Sequence, residues 1–350
     1  MEKHITIGMD LGDKNHIAVV LDGQGNEIEC MQLKNNKIAL RQFFKRYKGA
    51  TVAIEAGTHS PWISRLLEEL GCRVYVGNPY KLRMIWDSTD KSDERDARML
   101  AMVCRLEPRL LWPIHHRSES AHNDLEMIKA RNMLVQTRTK LINHVRSVVK
   151  ATGQRLPQCS AASFAGRAIN LLDKSLLPAL EPLIDTIAEI SDRIKKLDKQ
   201  IDNLAAERYP ETEVLQQVSG VGPLTALAYV LTIEDPGRFA KSRMVGAYLG
   251  LTPRRDQSGD IDKQLAITKA GNGYLRKLLV GCAHYIIGPF GPECDLKRHG
   301  LKIAARGGKN ARKRAAVAVA RKLCVLLHSL WVNGQKYEPM YSTVKLNKAA

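Results

Sequence analysis

Two apolar runs that each end in a carboxylate limit the folds open to this chain. His4-Ile-Thr-Ile-Gly-Met-Asp10 and Thr51-Val-Ala-Ile-Glu55 are short and rich in apolar and β-branched residues, as buried strands are. A third acidic element, Asp93-Glu-Arg-Asp96-Ala-Arg-Met-Leu, opens a helical stretch, and its spacing sets Asp93 and Asp96 on one helix face. Carboxylates gathered from strand ends and one helix are the hard oxygen donors that divalent cations take. Like charges held that close repel unless a cation neutralises them. Arg95 and Arg98 lie beside the pair, so a salt-bridged helix is the competing reading.

The elements between these acids alternate. Residues 4–10, 16–22 and 27–33 read as three strands joined by Gly12-Asp-Lys-Asn15 and Asp22-Gly-Gln-Gly-Asn26. Ile38, Leu40, Phe43, Phe44 and Tyr47 give a helix over 37–47, and the strand at 51–55 follows. Pro61 starts the next helix, with Ser60 as its expected cap, and Arg73-Val-Tyr-Val-Gly77 is a further strand. An antiparallel meander followed by two strand–helix units predicts a mixed α/β sheet, the order in which ribonuclease-H-like domains are built.

Farther along, the pattern is helical. One long helix is expected from about Ser118 to Ala151, with Ile128, Val135, Ile142 and Val149 on one repeat. Ile187, Ile190, Ile194, Leu197, Ile201 and Leu204 form an a/d seam that predicts a coiled coil over 184–205, ended by Tyr209-Pro210. An ordinary amphipathic helix packed on its own domain is the alternative. Val218-Ser-Gly220-Val-Gly222-Pro resembles a helix-hairpin-helix turn, whose glycines free backbone N–H groups for a phosphate. A helix is expected over 238–250, a polar loop from Leu251 to Gly259, and a helix over 274–287. The division expected is an α/β domain over 1–152 closed by the long helix, a coiled-coil segment over 153–208, and an all-α domain over 209–350.

The formal net charge is +18 in 350 residues, which favours polyanions through counterion release. The densest stretch, 296–322, holds Lys297, Arg298, Lys302, Arg306, Lys309, Arg312, Lys313, Arg314, Arg321 and Lys322 without one acid. Such a run is expected to lie along a sugar-phosphate backbone. Aromatic residues make up 5%, too few for a base-stacking sheet. The cysteines are scattered and form no CxxC pair, which argues against a zinc framework and fits a reduced cytoplasmic protein. No signal-peptide h-region and no apolar run near the roughly 20 residues of a membrane span is read, so no membrane partner is expected.

Ser258 stands in Arg254-Arg255-Asp-Gln-Ser258-Gly259. A serine hydroxyl attacks phosphorus well only when it is activated and the phosphate charge is held. The two guanidinium groups supply the second need through bidentate contacts, and the glycine permits close backbone approach. By itself, a loop serine is far more often a plain turn residue than a nucleophile.

Gly8-Met-Asp10, Ala53-Ile-Glu55-Ala-Gly57, Asp93-Glu-Arg-Asp96-Ala-Arg-Met-Leu-Ala101, Val218-Ser-Gly-Val-Gly222, Tyr248-Leu-Gly-Leu-Thr-Pro-Arg-Arg255, Ser258-Gly259 and Lys269-Ala-Gly271 follow in order. Together, over residues 4–335, they resemble the insertion-sequence transposases of the IS110 family, also described as bridge-RNA-guided recombinases. The resemblance implies a RuvC-like N-terminal domain whose Asp-Glu-Asp-Asp site, matched by Asp10, Glu55, Asp93 and Asp96, holds Mg²⁺ or Mn²⁺. It implies a coiled coil and then a helical transposase domain whose serine, matched by Ser258, links covalently to DNA. It also implies donor and target DNA and a structured noncoding guide RNA as partners. Assembly is expected as dimers that pair into a tetramer, in a bacterial or archaeal cytoplasm at the nucleoid. Arg254, Arg255 and Lys269 join the basic run as expected phosphate contacts. Thr268 stands where relatives often have Ser. Two other readings stay open: a junction-resolvase-like two-metal nuclease with water as nucleophile, and a nonenzymatic nucleic-acid scaffold.

Overall fold

The computed structural model describes residues 4–82, 92–259 and 261–341. They fall into two compact units, Met1–Ser118 and Glu119–Ala350.

The first unit is built on one five-stranded sheet. Its strands are β1 (Thr6–Leu11), β2 (Asn15–Leu21), β3 (Glu27–Lys34), β4 (Thr51–Glu55) and β5 (Arg73–Gly77), in the order β3-β2-β1-β4-β5. The first three are an antiparallel meander, and β4 and β5 run parallel to β1, as the sequence predicts. Helices α1 (Lys37–Phe44) and α2 (Ser60–Glu69) cover one face, where Ile7, Met9, Val52 and Ile54 pack with Leu40, Phe44, Ile63 and Leu67. Helix α3 (Asp93–Leu106) covers the other face, over Val19, Leu21 and Ala53. The expected cap of α2 differs: His59 occupies the cap position, and Ser60 Oγ instead accepts from the Gly57 N–H at 3.0 Å and donates to the Gly57 carbonyl at 2.8 Å.

The second unit is mainly helical. It holds α4 (Glu119–Ala151), α5 (Phe164–Ala168), α6 (Leu177–Arg208), α7 (Glu211–Gln216), α8 (Pro223–Ile233), α9 (Arg243–Tyr248), α10 (Gly273–Ile287), α11 (Asp295–Ala304) and α12 (Ala311–Asn333). It is not all-α: β6 (Pro253–Ser258) and β7 (Ile261–Ile267) form a separate antiparallel ribbon. The stretch expected to be a polar loop is β6. Nearly every side chain of the ribbon is exposed on both faces, so no alternating hydrophobic pattern marks it. The helix expected over 238–250 is confined to α9, after a single 3-10 turn at Pro236–Arg238.

The long helix α4, expected to close the α/β domain, packs instead in the second unit. Ala121, Leu125 and Ile128 share a core with Ile201, Ala205 and Leu215, while Ile142, Val145 and Val149 meet Leu180, Ile184 and Ile187. The a/d seam of α6 is thereby covered within the chain. Ile187, Ile190, Ile194 and Ile201 are buried, and Arg131 of α4 pairs with Asp198 of α6 at 2.7 Å. The heptad pattern here marks an intrachain helix pair. By length and composition α12 would pass as a membrane span, which the sequence reading missed, but its Val319, Leu323 and Leu327 are fully buried in the helical core.

Candidate functional site

β1 and β4 are parallel neighbours with Met9 opposite Ile54, which sets Asp10 and Glu55 side by side at their C-terminal ends. Successive strand residues face opposite ways. Ile7, Met9, Val52 and Ile54 enter the core under α1 and α2, so Gly8 and Asp10, like Ala53 and Glu55, belong to the face beneath α3.

Gly8 decides how closely α3 approaches. A Cβ there would lie 2.0 Å from the Ala97 carbonyl oxygen and 2.5 Å from the Ala101 nitrogen, so the helix rests directly on the strand backbone. The far end of α3 is fixed by Arg105, which donates to the Gly23 carbonyl at 2.8 Å in the β2–β3 turn, beside the start of β1. The first turn of α3 is therefore carried to the strand end that bears Asp10. Asp96 is buried there and Asp93 is exposed. Carboxylates at a helix N-terminus also meet the favourable end of its dipole.

Asp10, Glu55 and Asp96 are each engaged by a neighbouring group. Among the described residues, no three His, Cys, Asp or Glu side chains stand close enough to hold a metal ion as placed. The register of β1 and β4 brings Asp10 beside Glu55, and the structure does not bring the four expected acids together as one cage among the described residues. The donor set is all carboxylate, which suits a hard divalent cation.

On the opposite sheet face lies a group that sequence reasoning missed. His16, across from Leu11, is fully buried, and neither ring nitrogen has a hydrogen-bond partner among the described residues. Burial pushes its pKa below the ordinary imidazole value; Asn35 and the Gly12 backbone oppose that shift without completing a normal hydrogen bond. His59 Nε2 lies 3.3 Å from Asp13 Oδ1 and 3.3 Å from Asn35 Nδ2, and His116 Nε2 lies 2.9 Å from Ser60 Oγ. These residues meet only through the β1–β2 turn and the entry to α2, so no sequence spacing announces them.

In the second unit, Ser258 ends β6, and Gly259 follows with φ +53° and open space around it. The pairs Asp256–Lys263 and Ser258–Ile261 put Ser258 on the same ribbon face as Ile261, Lys263 and Leu265. Ile261 is 52% exposed and Leu265 45% exposed. No described group hydrogen-bonds the Ser258 hydroxyl. On the other face Arg255 reaches Asp262 through two bonds of 2.7 Å, which hold the Asp262 carboxyl below its ordinary range. Arg255, expected as a phosphate clamp, is thus occupied in the ribbon. Arg254 makes no ion pair among the described residues.

The expected helix-hairpin-helix-like turn joins α7 to α8. Gly220 adopts φ +91°, where a Cβ would also meet the Tyr285 ring at 2.7 Å, and Gly222 precedes α8 in open space. Lys269 has φ +58° in the turn that packs on Gly250. The basic run divides in two. Lys297 donates to the Gly291 carbonyl at 2.7 Å, Arg298 pairs with Glu293 at 3.2 Å, and Arg314 donates to the Gly307 carbonyl at 2.8 Å. Lys302, Arg306, Lys309, Arg312 and Lys313 are exposed and in no ion pair among the described residues.

Two family models match the chain. One, described as a transposase and of the IS110 DEDD type, covers residues 7–153 and spans the four acids. The other, described as the transposase IS116/IS110/IS902 family, covers residues 212–295 and spans Ser258. A "Probable family 20 transposase" of Pseudomonas aeruginosa is 26% identical, covering 95% of this chain and 98% of that protein. The "Transposase for insertion sequence element IS1111A" of Coxiella burnetii is 27% identical, over 71% of this chain and 69% of that protein. A "Pilin gene-inverting protein" of Moraxella bovis is 27% identical, over 69% of this chain and 66% of that protein. With both family models matched in order along one polypeptide, the chain belongs to the IS116/IS110/IS902 family of transposases.

Proposed function

We propose that this protein is the transposase of an insertion sequence. It cuts and rejoins DNA through a covalent phosphoserine at Ser258, with a divalent cation, Mg²⁺ or Mn²⁺, held by Asp10, Glu55, Asp93 and Asp96. The observation that supports this reading is the parallel register of β1 and β4, which sets Asp10 beside Glu55, with α3, the helix that bears Asp93 and Asp96, resting on Gly8 of β1. When bound, the cation offsets charge on the phosphate oxygens.

The Ser258 hydroxyl attacks phosphorus and gives up its proton. The bond from phosphorus to the 3′ oxygen breaks, and that oxygen leaves as a 3′ hydroxyl, so the proton count balances. After strand exchange, a 3′ hydroxyl attacks the phosphoserine, the bond to Oγ breaks and the serine regains a proton. One phosphodiester replaces another at each step, so no nucleotide hydrolysis is required. Arg254 is available to hold the phosphate; Arg255 would first exchange Asp262 for it. Exposed Ile261 and Leu265 beside Ser258 support a serine that works against a covering surface, since a lone two-stranded hairpin is marginal in water. Assembly as dimers pairing into a tetramer, and site choice by a structured guide RNA held on the basic surface, belong to the same proposal.

The test is direct. Labelled donor DNA, incubated with protein and Mg²⁺ and then denatured, is expected to stay attached to the parent protein. Ser258→Ala should abolish the adduct and strand joining, by about a thousandfold or more, and Asp10→Asn should do the same. Among the described residues no group hydrogen-bonds the serine hydroxyl, which favours the second reading, a nuclease that uses water. If Ser258→Ala cuts as the parent does and no adduct forms, that second reading holds. Sequencing RNA that copurifies with the protein tests the guide: a discrete species with loops complementary to two DNA sites is expected.

A further inference from the structure

Helix α11 crosses α12 with almost no space between them. A Cβ on Gly300 would lie 2.9 Å from Val319 Cγ2 of α12 and 2.7 Å from Ile287 Cγ1 at the end of α10. The crossing brings half-buried His299, next to Gly300, toward Lys322, one helical turn beyond Val319. Lys302 and Arg306 follow His299 on the same side of α11 and its C-terminal extension. Lys302, Arg306 and Lys322 act on His299, Asp295 lies four residues before it on the same side of α11, and α10 meets the crossing through apolar Ile287. Of the acids nearest in sequence, Glu293 pairs with Arg298 at 3.2 Å. Lys302, Arg306 and Lys322 are exposed and in no ion pair among the described residues.

We propose that His299, Lys302, Arg306 and Lys322 form a cradle for one phosphodiester of a bound nucleic acid, and that the imidazole takes up a proton as the phosphate enters. This rests on the reading of the chain as a nucleic-acid enzyme and adds to it a particular contact. In the free protein, burial and the three cations hold the imidazole pKa below its ordinary value. A phosphate offsets those cations and favours the charged ring. Binding is then linked to proton uptake, so affinity falls as pH rises through the interval between the free and bound pKa values, by at most about tenfold per pH unit. The ligand chemistry is shared by DNA and RNA.

The experiment is a fluorescence-anisotropy titration of the full chain with a labelled DNA duplex and, separately, a structured RNA. Each is run from about pH 5.5 to about pH 8 at fixed ionic strength. His299→Gln is expected to keep binding and to flatten the pH dependence with the nucleic acid that uses the cradle. A Lys302→Gln, Lys322→Gln double variant should reduce the salt slope by about two contacts with that same ligand. A pH dependence unaltered in His299→Gln, or a salt slope unchanged in the double variant with both ligands, overturns the cradle while leaving the wider reading intact. A parent protein that binds neither nucleic acid removes both.

Discussion

β1 and β6 are strands of equal length, and each carries a residue on which the proposed chemistry turns, yet they are held in opposite ways. β1 lies between β2 and β4, with α3 on one face and the α1–α2 core on the other. β6 has one partner strand and every residue exposed. Asp10 is therefore positioned by the fold itself, and displacing it means unpacking α3. Among the described residues Ser258 is positioned by its own hairpin, and the covering surface proposed for it would meet Ile261 and Leu265. The contrast suits the division of labour. Cation ligands need fixed geometry, whereas a nucleophile that carries DNA needs freedom to move with it.

The largest test of this contrast compares two glycines. Gly8→Ala drives a methyl group into the backbone of α3, and overpacking against immobile atoms is expected to cost about 3 kcal/mol or more. Gly259→Ala meets open space and only the strain of a left-handed backbone, about 1 kcal/mol, confined to the hairpin. Urea denaturation should show a large drop in midpoint for Gly8→Ala and little change for Gly259→Ala. Equal losses would mean that the ribbon is as firmly integrated as β1.

A second test uses pH. Because burial depresses the His16 pKa, the unfolded chain takes up a proton that the folded chain resists. The first unit therefore keeps its full stability above the ordinary imidazole range and loses it as pH falls below, by at most about 1.4 kcal/mol per pH unit. Replacing His16 by Gln should flatten this dependence between about pH 7 and about pH 5, read by chemical denaturation. Among the described residues the ribbon carries no buried titratable group, so adduct formation by Ser258 should not follow the same curve.

What the sequence disclosed follows from what burial imposes. β1 and β4 are covered on both faces, so their apolar runs and terminal acids stand out. β6 is covered on neither face, and selection for a core left no pattern in Arg254, Asp256 or Ser258. The local sign was the Gly259-Asp260 dipeptide, a hairpin signature that can be read without any alternation. Gly8 is conspicuous in the sequence, but its reason lies in Ala97 and Ala101, far along the chain. The α6 seam was legible as a seam; that α4 covers it depends on a return of the chain that heptads do not encode. His16, His59 and His116 were hidden for the same reason: their neighbours are set by tertiary closure.

The smallest expected effect is the sharpest probe of the ribbon. Arg255 and Asp262 make a bidentate pair in water, where screening and side-chain entropy leave little net stability. Arg255→Gln should leave the denaturation midpoint unchanged. It should also return the Asp262 carboxyl to its ordinary titration range, because its present depression comes from the Arg255 hydrogen bonds. Side-chain NMR titration reads the second effect separately from the first. A fall in midpoint would show that this pair couples the ribbon to the helical core, and the distinction between a strand fixed by its fold and a strand fixed by what it meets would then fail at β6.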